Sequence, residues 1–205
     1  MNLPLEGSFG SRFAHIVSTL SSPFITAALF SLWIISRQNG SASQLLTWSL
    51  TFVLLIVGLP LLYIFVGVLH GRFSDLHIVE REQRTKPFIV GTLSALLLIV
   101  AFYWEDAPHI LLVVATVLVA NGIIFTLVTQ FTKISIHLAA YCGGVILLAR
   151  ALSPEWLWLL SLAPMIAWAR LARQRHTLFQ TVLAAVLVSA VTALTIYAMS
   201  FLPAF

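Results

Sequence analysis

Residues 109–130 decide the fold class, and their sequence is HILLVVATVLVANGIIFTLVTQ. The stretch contains no Asp, Glu, Lys or Arg. An α-helix needs about 20 consecutive apolar residues to cross the hydrocarbon core of a bilayer. The apolar residues are continuous rather than alternating, which favours a helix over a strand of a membrane barrel. The stretch therefore predicts a transmembrane helix.

The rest of the chain has the same character. Of its 205 residues, 60% are hydrophobic and 9% are charged, whereas an ordinary soluble domain has about 25% charged residues. We expect an all-α, polytopic transmembrane helix bundle of six to seven spans that forms one domain, residues 1–205. The net charge of +4 is expected to report membrane topology rather than nucleic-acid binding. The predicted spans are 16–36, 45–70, 88–104, 109–130, 134–150, 155–170 and 178–202.

The first predicted span is the least regular. Four hydroxyl residues and Pro23 interrupt it. One interpretation is a single span, and the other is an interfacial N-terminal segment within residues 1–21, followed by a span that Pro23 opens. No basic region precedes an apolar run at the N-terminus, so we do not expect a cleaved signal peptide.

Polar residues gather in three segments between the spans, residues 71–87, 131–137 and 170–177. Two predicted spans separate each segment from the next, so all three should emerge on one membrane face. All Lys and Arg residues except Arg37 and Arg150 belong to this face, as does the N-terminus. The positive-inside rule then predicts a cytoplasmic location for this face and the opposite side for the C-terminus.

The residue types in these segments suit the capture of a phosphate. Phosphate binding needs several cationic or hydrogen-bond donors, and Arg170, Ser135 and Lys86 are suitable. Phosphoryl transfer also needs a nucleophile, for which a neutral imidazole qualifies, and an acid that protonates the leaving alcohol. His137 and His176 supply two imidazoles. The scheme requires no metal and no cofactor, and a location at the interface suits the head group of a lipid.

The spacing of these residues resembles that of the type 2 phosphatidic acid phosphatase superfamily, the integral-membrane lipid phosphate phosphatases. That family carries three motifs in order, K-x6-R-P, P-S-G-H and S-R-x5-H-x3-D. The corresponding stretches here are VEREQRTKP at 79–87, ISIH at 134–137 and ARLARQRHTLFQ at 169–180. The resemblance covers about residues 70–200.

The resemblance implies a role for each matching residue. His176 would be the nucleophile, and His137 would protonate the leaving group. Arg170, Ser135 and Lys86 would hold the phosphate oxygens. The supporting residues would be Gln180, Lys133 and Arg84. The implied activity is hydrolysis or transfer of phosphate from a lipid or isoprenoid (di)phosphate, with membrane lipids as the surroundings.

Three of the departures from the family motifs bear on the chemistry. Val79 stands in place of a phosphate-binding lysine, and Ile136 stands in place of a glycine. Gln180 replaces the aspartate that orients the nucleophilic histidine, and in the analogous serine-protease triad a comparable change costs about 10⁴ in rate. Carboxylates in the first polar segment are candidates to supply the missing charge. They are Asp75, Glu80 and Glu82.

The sequence leaves three alternatives to the phosphatase function open. The changed motif positions favour a non-catalytic relative. Such a protein would bind a lipid or pigment, or would pack as an oligomer or as a structural subunit of a membrane complex. Residues 75–87 also resemble the aspartate-rich loop of UbiA-type prenyltransferases, but the second aspartate of that Mg²⁺ site is missing. A small transporter is disfavoured, since no charged residue lies in the middle of a predicted span.

Overall fold

The computed structural model describes residues 9–74 and 80–201, and this part of the chain forms α-helices without any β-strand. The α-helices are α1 Phe9–Leu20, α2 Pro23–Ser36, α3 Ala42–Phe52, α4 Leu59–Leu69, α5 Thr85–Trp104, α6 His109–Val128, α7 Ile136–Ala151, α8 Ala163–Ala172 and α9 Leu178–Met199. A π-helical segment, Val53–Gly58, joins α3 to α4, and a 3₁₀ helix, Pro154–Leu162, leads into α8.

Several of these helices have the length and composition of membrane spans. Within the described residues they are the continuous helix Ala42–Leu69 and helices α5, α6 and α9. The pair α1 and α2 adds a fifth if the two are counted as one bent span, and α7 is a shorter apolar helix. The predicted all-α helix bundle is therefore confirmed, but the described residues contain four or five helices of span length, where six to seven were expected.

The helical segment is interrupted between α1 and α2, whose axes differ by 50°. At the end of α1 the Val17 carbonyl accepts two hydrogen bonds from Ser21, one from its N–H at 2.9 Å and one from its hydroxyl at 2.8 Å. Pro23 lies in the first turn of α2, where a missing N–H costs no helical hydrogen bond. The helix is therefore interrupted directly before Pro23, and α1 and α2 together have the length and composition of one bent span. Residues 1–8 of the predicted N-terminal segment lie outside the described residues.

The helix Ala42–Leu69 contains an irregular stretch near its middle. The N–H of Leu59 reaches the carbonyl of Leu54, five residues back, in the π-helical manner. Pro60 follows directly and has no N–H to donate to the carbonyl four residues before it. The proline therefore accounts for an interruption of the α-helical pattern at this point, and a wider turn absorbs it.

The predicted single span 155–170 is wrong as one α-helix. The chain is a 3₁₀ helix over Pro154–Leu162, and regular α-helix begins only at Ala163. Pro164 cannot donate to a carbonyl in the preceding turn, so an α-helix cannot run through it with all its hydrogen bonds. Hydropathy alone does not register this effect.

Two apolar cores lie one above the other along α7. The aromatic core packs around the C-terminal half of α7 and contains Trp48, Phe52 and Phe102, which are all almost fully buried. The alanine-rich core packs around the N-terminal half of α7 and contains Ala139 and Ala169, among others. The side chains predicted to form a site lie at the alanine-rich end of the bundle.

Candidate functional site

The site is built where α7 begins. Ser135 is the residue at the N-terminal cap of α7, and it is fully buried. Its hydroxyl oxygen has no hydrogen-bond partner, although a capping serine usually accepts from the first turn of its helix. His137 follows in the first turn and is also buried. The start of α7 therefore presents a free hydroxyl beside an imidazole.

Arg170 joins three helices at this point. It lies in the last turn of α8, and its Nη1 donates to Ser18 Oγ on α1 at 2.5 Å. The same Nη1 lies 3.5 Å from Nε2 of His137 on α7. Helix α1 reaches α8 because Ala14 and Val17 pack into the alanine-rich core beside Ala169.

The Arg170 guanidinium is desolvated and has no carboxylate partner among residues 9–74 and 80–201. Arg170 is 6% exposed, and its Nε has no hydrogen-bond partner. The ion pair that the described residues do form joins Arg81 to Glu82 at the surface. A buried cation without a counter-ion is costly, so Arg170 creates a strong local preference for an anion.

His176 lies in the loop between α8 and α9, where the chain folds back over the end of α8. The N–H of Arg175 donates to the Arg170 carbonyl at 3.1 Å, and Gln174 has a positive φ of 53°. His176 is 8% exposed, and its Nδ1 has no hydrogen-bond partner. The loop thus returns an imidazole to the interior beside the arginine.

The surroundings of His176 keep its imidazole neutral. Burial lowers its pKa to about 4, and the nearby positive charges of Arg170, Arg84 and Lys133 act in the same direction. The neighbouring Gln180 side chain opposes this shift in pKa. At neutral pH the ring therefore has a lone pair available for a bond to an electrophile or for a hydrogen bond.

The first polar segment contributes Arg84 rather than the predicted Lys86 to the interior. Arg84 is buried, and its Nη1 donates to the Ile134 carbonyl at 3.4 Å, next to Ser135. Lys86 is exposed in the first turn of α5. Lys86, which was predicted to contact the phosphate, therefore lies outside the buried cluster of Ser135, His137, Arg170 and His176.

The candidate carboxylates of the first segment are engaged elsewhere or fall outside the described residues. Glu82 pairs with Arg81 at 3.2 Å, and Glu80 accepts a hydrogen bond from Gln83. Asp75 and the motif position Val79 lie outside the described residues.

Gln180 stabilises the start of α9. Its Oε1 accepts from the N–H of Thr177 at 3.2 Å, while its own N–H donates to Thr177 Oγ1 at 3.3 Å. This reciprocal pair is a capping box, which satisfies two otherwise unpaired backbone donors. Gln180 therefore has a structural role in addition to its position near His176.

An apolar cavity of about 550 Å³ adjoins the cluster, and Arg84 and His137 form part of its wall. Its other walls come from α2, α4, α5, α6 and α7. The sequence predictions did not include this cavity or the contact with Ser18. The spacing of Ala14, Val17 and Ser18, which places them on one face of α1, could have indicated that the serine is buried.

The fold and the cluster together define a helical membrane protein with a buried cationic site that borders an apolar cavity. No group of three His, Cys, Asp or Glu side chains within the described ranges is arranged to hold a metal ion. No family model, curated protein or solved structure matches this chain.

Proposed function

We propose that this protein is a membrane lipid phosphatase-like enzyme that hydrolyses or transfers phosphate from a lipid or isoprenoid (di)phosphate through a histidine nucleophile. One observation carries the proposal. Ser135 Oγ, Arg170 Nε and His176 Nδ1 are buried in this region without hydrogen-bond partners. Each such atom costs about 1–3 kcal/mol when nothing satisfies it. A phosphate has enough acceptor oxygens for the two donors and an electrophilic phosphorus for the imidazole.

The proposed reaction has two steps. A nitrogen of His176 attacks phosphorus and forms a P–N bond while the bond from phosphorus to the leaving oxygen breaks. His137 gives a proton to that oxygen, so an alcohol, or a phosphate from a diphosphate, departs. Water then attacks the phosphorus, His137 takes a proton from it, and the P–N bond breaks to release inorganic phosphate and neutral His176.

Electrostatic stabilisation in this scheme comes from the cations. Arg170 and Arg84 carry fixed charge in a desolvated region, where charge–charge interactions are stronger than in water. Their charges also hold the pKa of His176 low, which keeps the nucleophile unprotonated. The same residues would therefore bind the substrate and maintain the reactive form of the histidine.

A second candidate function is supported by the environment of Gln180. A carboxylate beside His176 would stabilise the imidazolium-like state of the reaction, but Gln180 is neutral and takes part in a capping box. The described carboxylates Glu80 and Glu82 have other partners. These features favour a non-catalytic relative that binds an anionic lipid, alone or as a subunit of a membrane complex.

Phosphate release from a panel of lipid and isoprenoid phosphates tests the enzyme. The purified parent should release phosphate from at least one of them, and His176→Ala should abolish release while the protein stays folded. His15→Ala is the matched control, because His15 is exposed on α1. Release by His176→Ala at the parental rate would exclude the histidine nucleophile.

Substitution of Gln180 separates the enzyme from the binding protein. Glutamate keeps the capping box, since Glu and Gln both serve at this position, and it adds a carboxylate near His176. Gln180→Glu should therefore raise the rate, and Gln180→Asp, with its shorter side chain, should raise it less. If neither the parent nor these variants releases phosphate, while the parent binds lipid phosphates, the non-catalytic function is the correct one.

The orientation in the membrane is also part of the proposal. We propose that the site face and the N-terminus are cytoplasmic, which the distribution of Lys and Arg supports. Reporter fusions at Phe205 and within residues 71–87 should report opposite sides. A cytoplasmic report from the fusion at Phe205 would overturn this orientation.

A further inference from the structure

The cavity beside the cluster has two chemically different ends. At one end its wall includes the polar residues Arg84 and His137. At the other end it includes Ile34, Val117 and Leu147, which belong to the aromatic core. His137 and Leu147 are ten residues apart on α7, which corresponds to a depth of about 15 Å at the rise of an α-helix.

We propose that this cavity holds the single hydrocarbon chain of an amphiphile whose phosphate binds at Ser135, Arg170 and His176, next to the cavity residues Arg84 and His137. The inference rests on the proposed phosphate site and adds the class of substrate, a one-chain lipid or prenyl phosphate rather than a two-chain phospholipid. The charge at one end and the apolar lining beyond it match the two parts of such a molecule.

The size of the cavity selects one chain. A methylene group of the chain is about as large as a water molecule, which occupies about 30 Å³ in the liquid. The cavity volume of about 550 Å³ therefore accommodates roughly 18 such groups. The depth of about 15 Å is half of the roughly 30 Å hydrocarbon core, so the chain would extend through one leaflet. A second chain of the same length would have no room inside the cavity.

The end of the cavity sets the length of the chain. Beyond Ile34 and Leu147 the aromatic core is closed by Trp48, Phe52 and Phe102, none of which is more than 2% exposed. A chain that reaches this layer cannot extend further without displacing close-packed aromatic rings.

The walls leave open space next to Gly91. A Cβ atom built on Gly91 meets no atom within 4 Å, whereas one built on Gly144 would collide with the ring of Phe30. Both glycines line the cavity. Space at Gly91 is therefore unfilled by the protein, and a large side chain introduced there would project into the volume assigned to the hydrocarbon chain.

The apolar part of the wall includes the polar residues Ser31, Thr92 and Asn121. Asn121 donates from Nδ2 to the Val117 carbonyl at 3.0 Å and to Thr192 Oγ1 at 3.1 Å. Its Oδ1 has no hydrogen-bond partner.

The test uses Gly91→Phe, which fills the cavity, and Leu93→Phe, which adds a ring on the same helix at a residue that is 54% exposed. The probes are inorganic phosphate, alkyl phosphates of increasing chain length, and a two-chain phosphatidate, each measured by binding in the same detergent. The parent should bind hexadecyl phosphate at least about ten-fold more tightly than the two-chain lipid, a difference of 1.4 kcal/mol. Affinity should rise with chain length and then reach a plateau.

Gly91→Phe should lose the preference for a long chain but retain the parental affinity for inorganic phosphate, and Leu93→Phe should retain both. Gly91→Leu provides a smaller obstruction if the phenylalanine variant does not fold. Equal binding of one-chain and two-chain lipids, or an unchanged preference in a folded Gly91 variant, would overturn the inference alone. Failure of the parent to bind any of the phosphates would instead overturn the proposed phosphate site.

Discussion

The two ends of the bundle treat buried polar groups differently. At the aromatic core, Trp48 Nε1 donates to the Glu105 carbonyl at 3.3 Å, and Thr51 Oγ1 donates to Glu105 Oε1 at 2.6 Å. At the alanine-rich core, buried donor atoms of Ser135 and Arg170 have no partner. Hydrogen bonds join helices at both ends, since Arg170 Nη1 donates to Ser18 Oγ at the alanine-rich end, but that end also leaves donors of its cationic site without a partner.

The two ends differ in the chemistry and packing around their unpartnered buried atoms rather than in whether they have such atoms. The aromatic end also has unpartnered atoms, Glu105 Oε2 and His109 Nε2, but it is filled with large side chains. The other end combines cations with small residues and an adjoining cavity. Tight packing at one end thus stabilises a bundle whose other end holds costly desolvated charge, which is a pattern expected of functional sites.

The largest expected effect is on stability at the aromatic end. Trp48→Ala should lower the free energy of unfolding by about 3–5 kcal/mol, because it removes a fully buried aromatic side chain. Denaturant unfolding in detergent measures this, with Trp158→Ala as the control, since Trp158 is 60% exposed. The affinity of the folded protein for phosphate should not change. A loss of affinity in the folded fraction would show that the two ends are coupled.

The next effect is the pH dependence of stability that His176 creates at the alanine-rich end. The pKa of His176 is about 4 in the folded protein, below its ordinary value of 6.5, so the unfolded chain binds this proton more readily. The free energy of unfolding should therefore fall as the pH decreases from 6.5 to 4, by up to about 3 kcal/mol, and this contribution should be absent in His176→Gln. Unfolding at a series of pH values measures it. Identical pH profiles for the parent and His176→Gln would contradict the buried, neutral histidine.

Arg170→Met should separate ligand binding from stability. Loss of the cation should remove stabilisation by phosphate, which amounts to about 2.7 kcal/mol at a ligand concentration of 100 times Kd. The ligand-free variant should be at least as stable as the parent, because an apolar side chain carries no desolvation cost. Thermal unfolding with and without phosphate tests both, with Arg173→Met as the control. A ligand-free variant destabilised by about 3–5 kcal/mol would indicate instead a broken buried ion pair.

The smallest effects compare the two capping boxes. Ser41 and Gln44 form one at the start of α3, and Thr177 and Gln180 form the other at the start of α9. Ser41→Ala and Thr177→Ala should each cost about 1 kcal/mol of stability. Only Thr177→Ala should also weaken phosphate binding, because Thr177 follows His176 directly. Equal effects of both variants on binding would show that the α9 cap has no special relation to the site.

Most helices could be predicted from the sequence because hydropathy is continuous along them. The predicted spans 88–104, 109–130 and 178–202 correspond to α5, α6 and α9, with ends that differ by a few residues. The segment 155–170 could not be predicted this way, since Pro164 limits backbone hydrogen bonding without lowering hydropathy.

The site shows the same division between local and tertiary information. Topology placed the segments of His137 and Arg170 on one face, and the two side chains are in contact. The contact of Arg170 with Ser18 depends on how α1 crosses α8, which hydropathy does not encode. The burial of Arg84 in place of Lys86 likewise depends on where the turn of α5 begins, a boundary that sequence patterns locate poorly.

The π-helical turn at Val53–Gly58 makes the effect of a deletion in the helix Ala42–Leu69 depend on its place. This turn accommodates one residue more than an α-helical turn does, so a single-residue deletion within it would restore the α-helical pattern and leave Pro60 and Ile64 facing the cavity. Deletion of Leu62, in the regular helix that follows, would instead rotate the end of α4 by about 100°, the share of one residue in a 3.6-residue turn. The first deletion should be tolerated, whereas the second should turn Ile64 away from the cavity and leave the aromatic core in place.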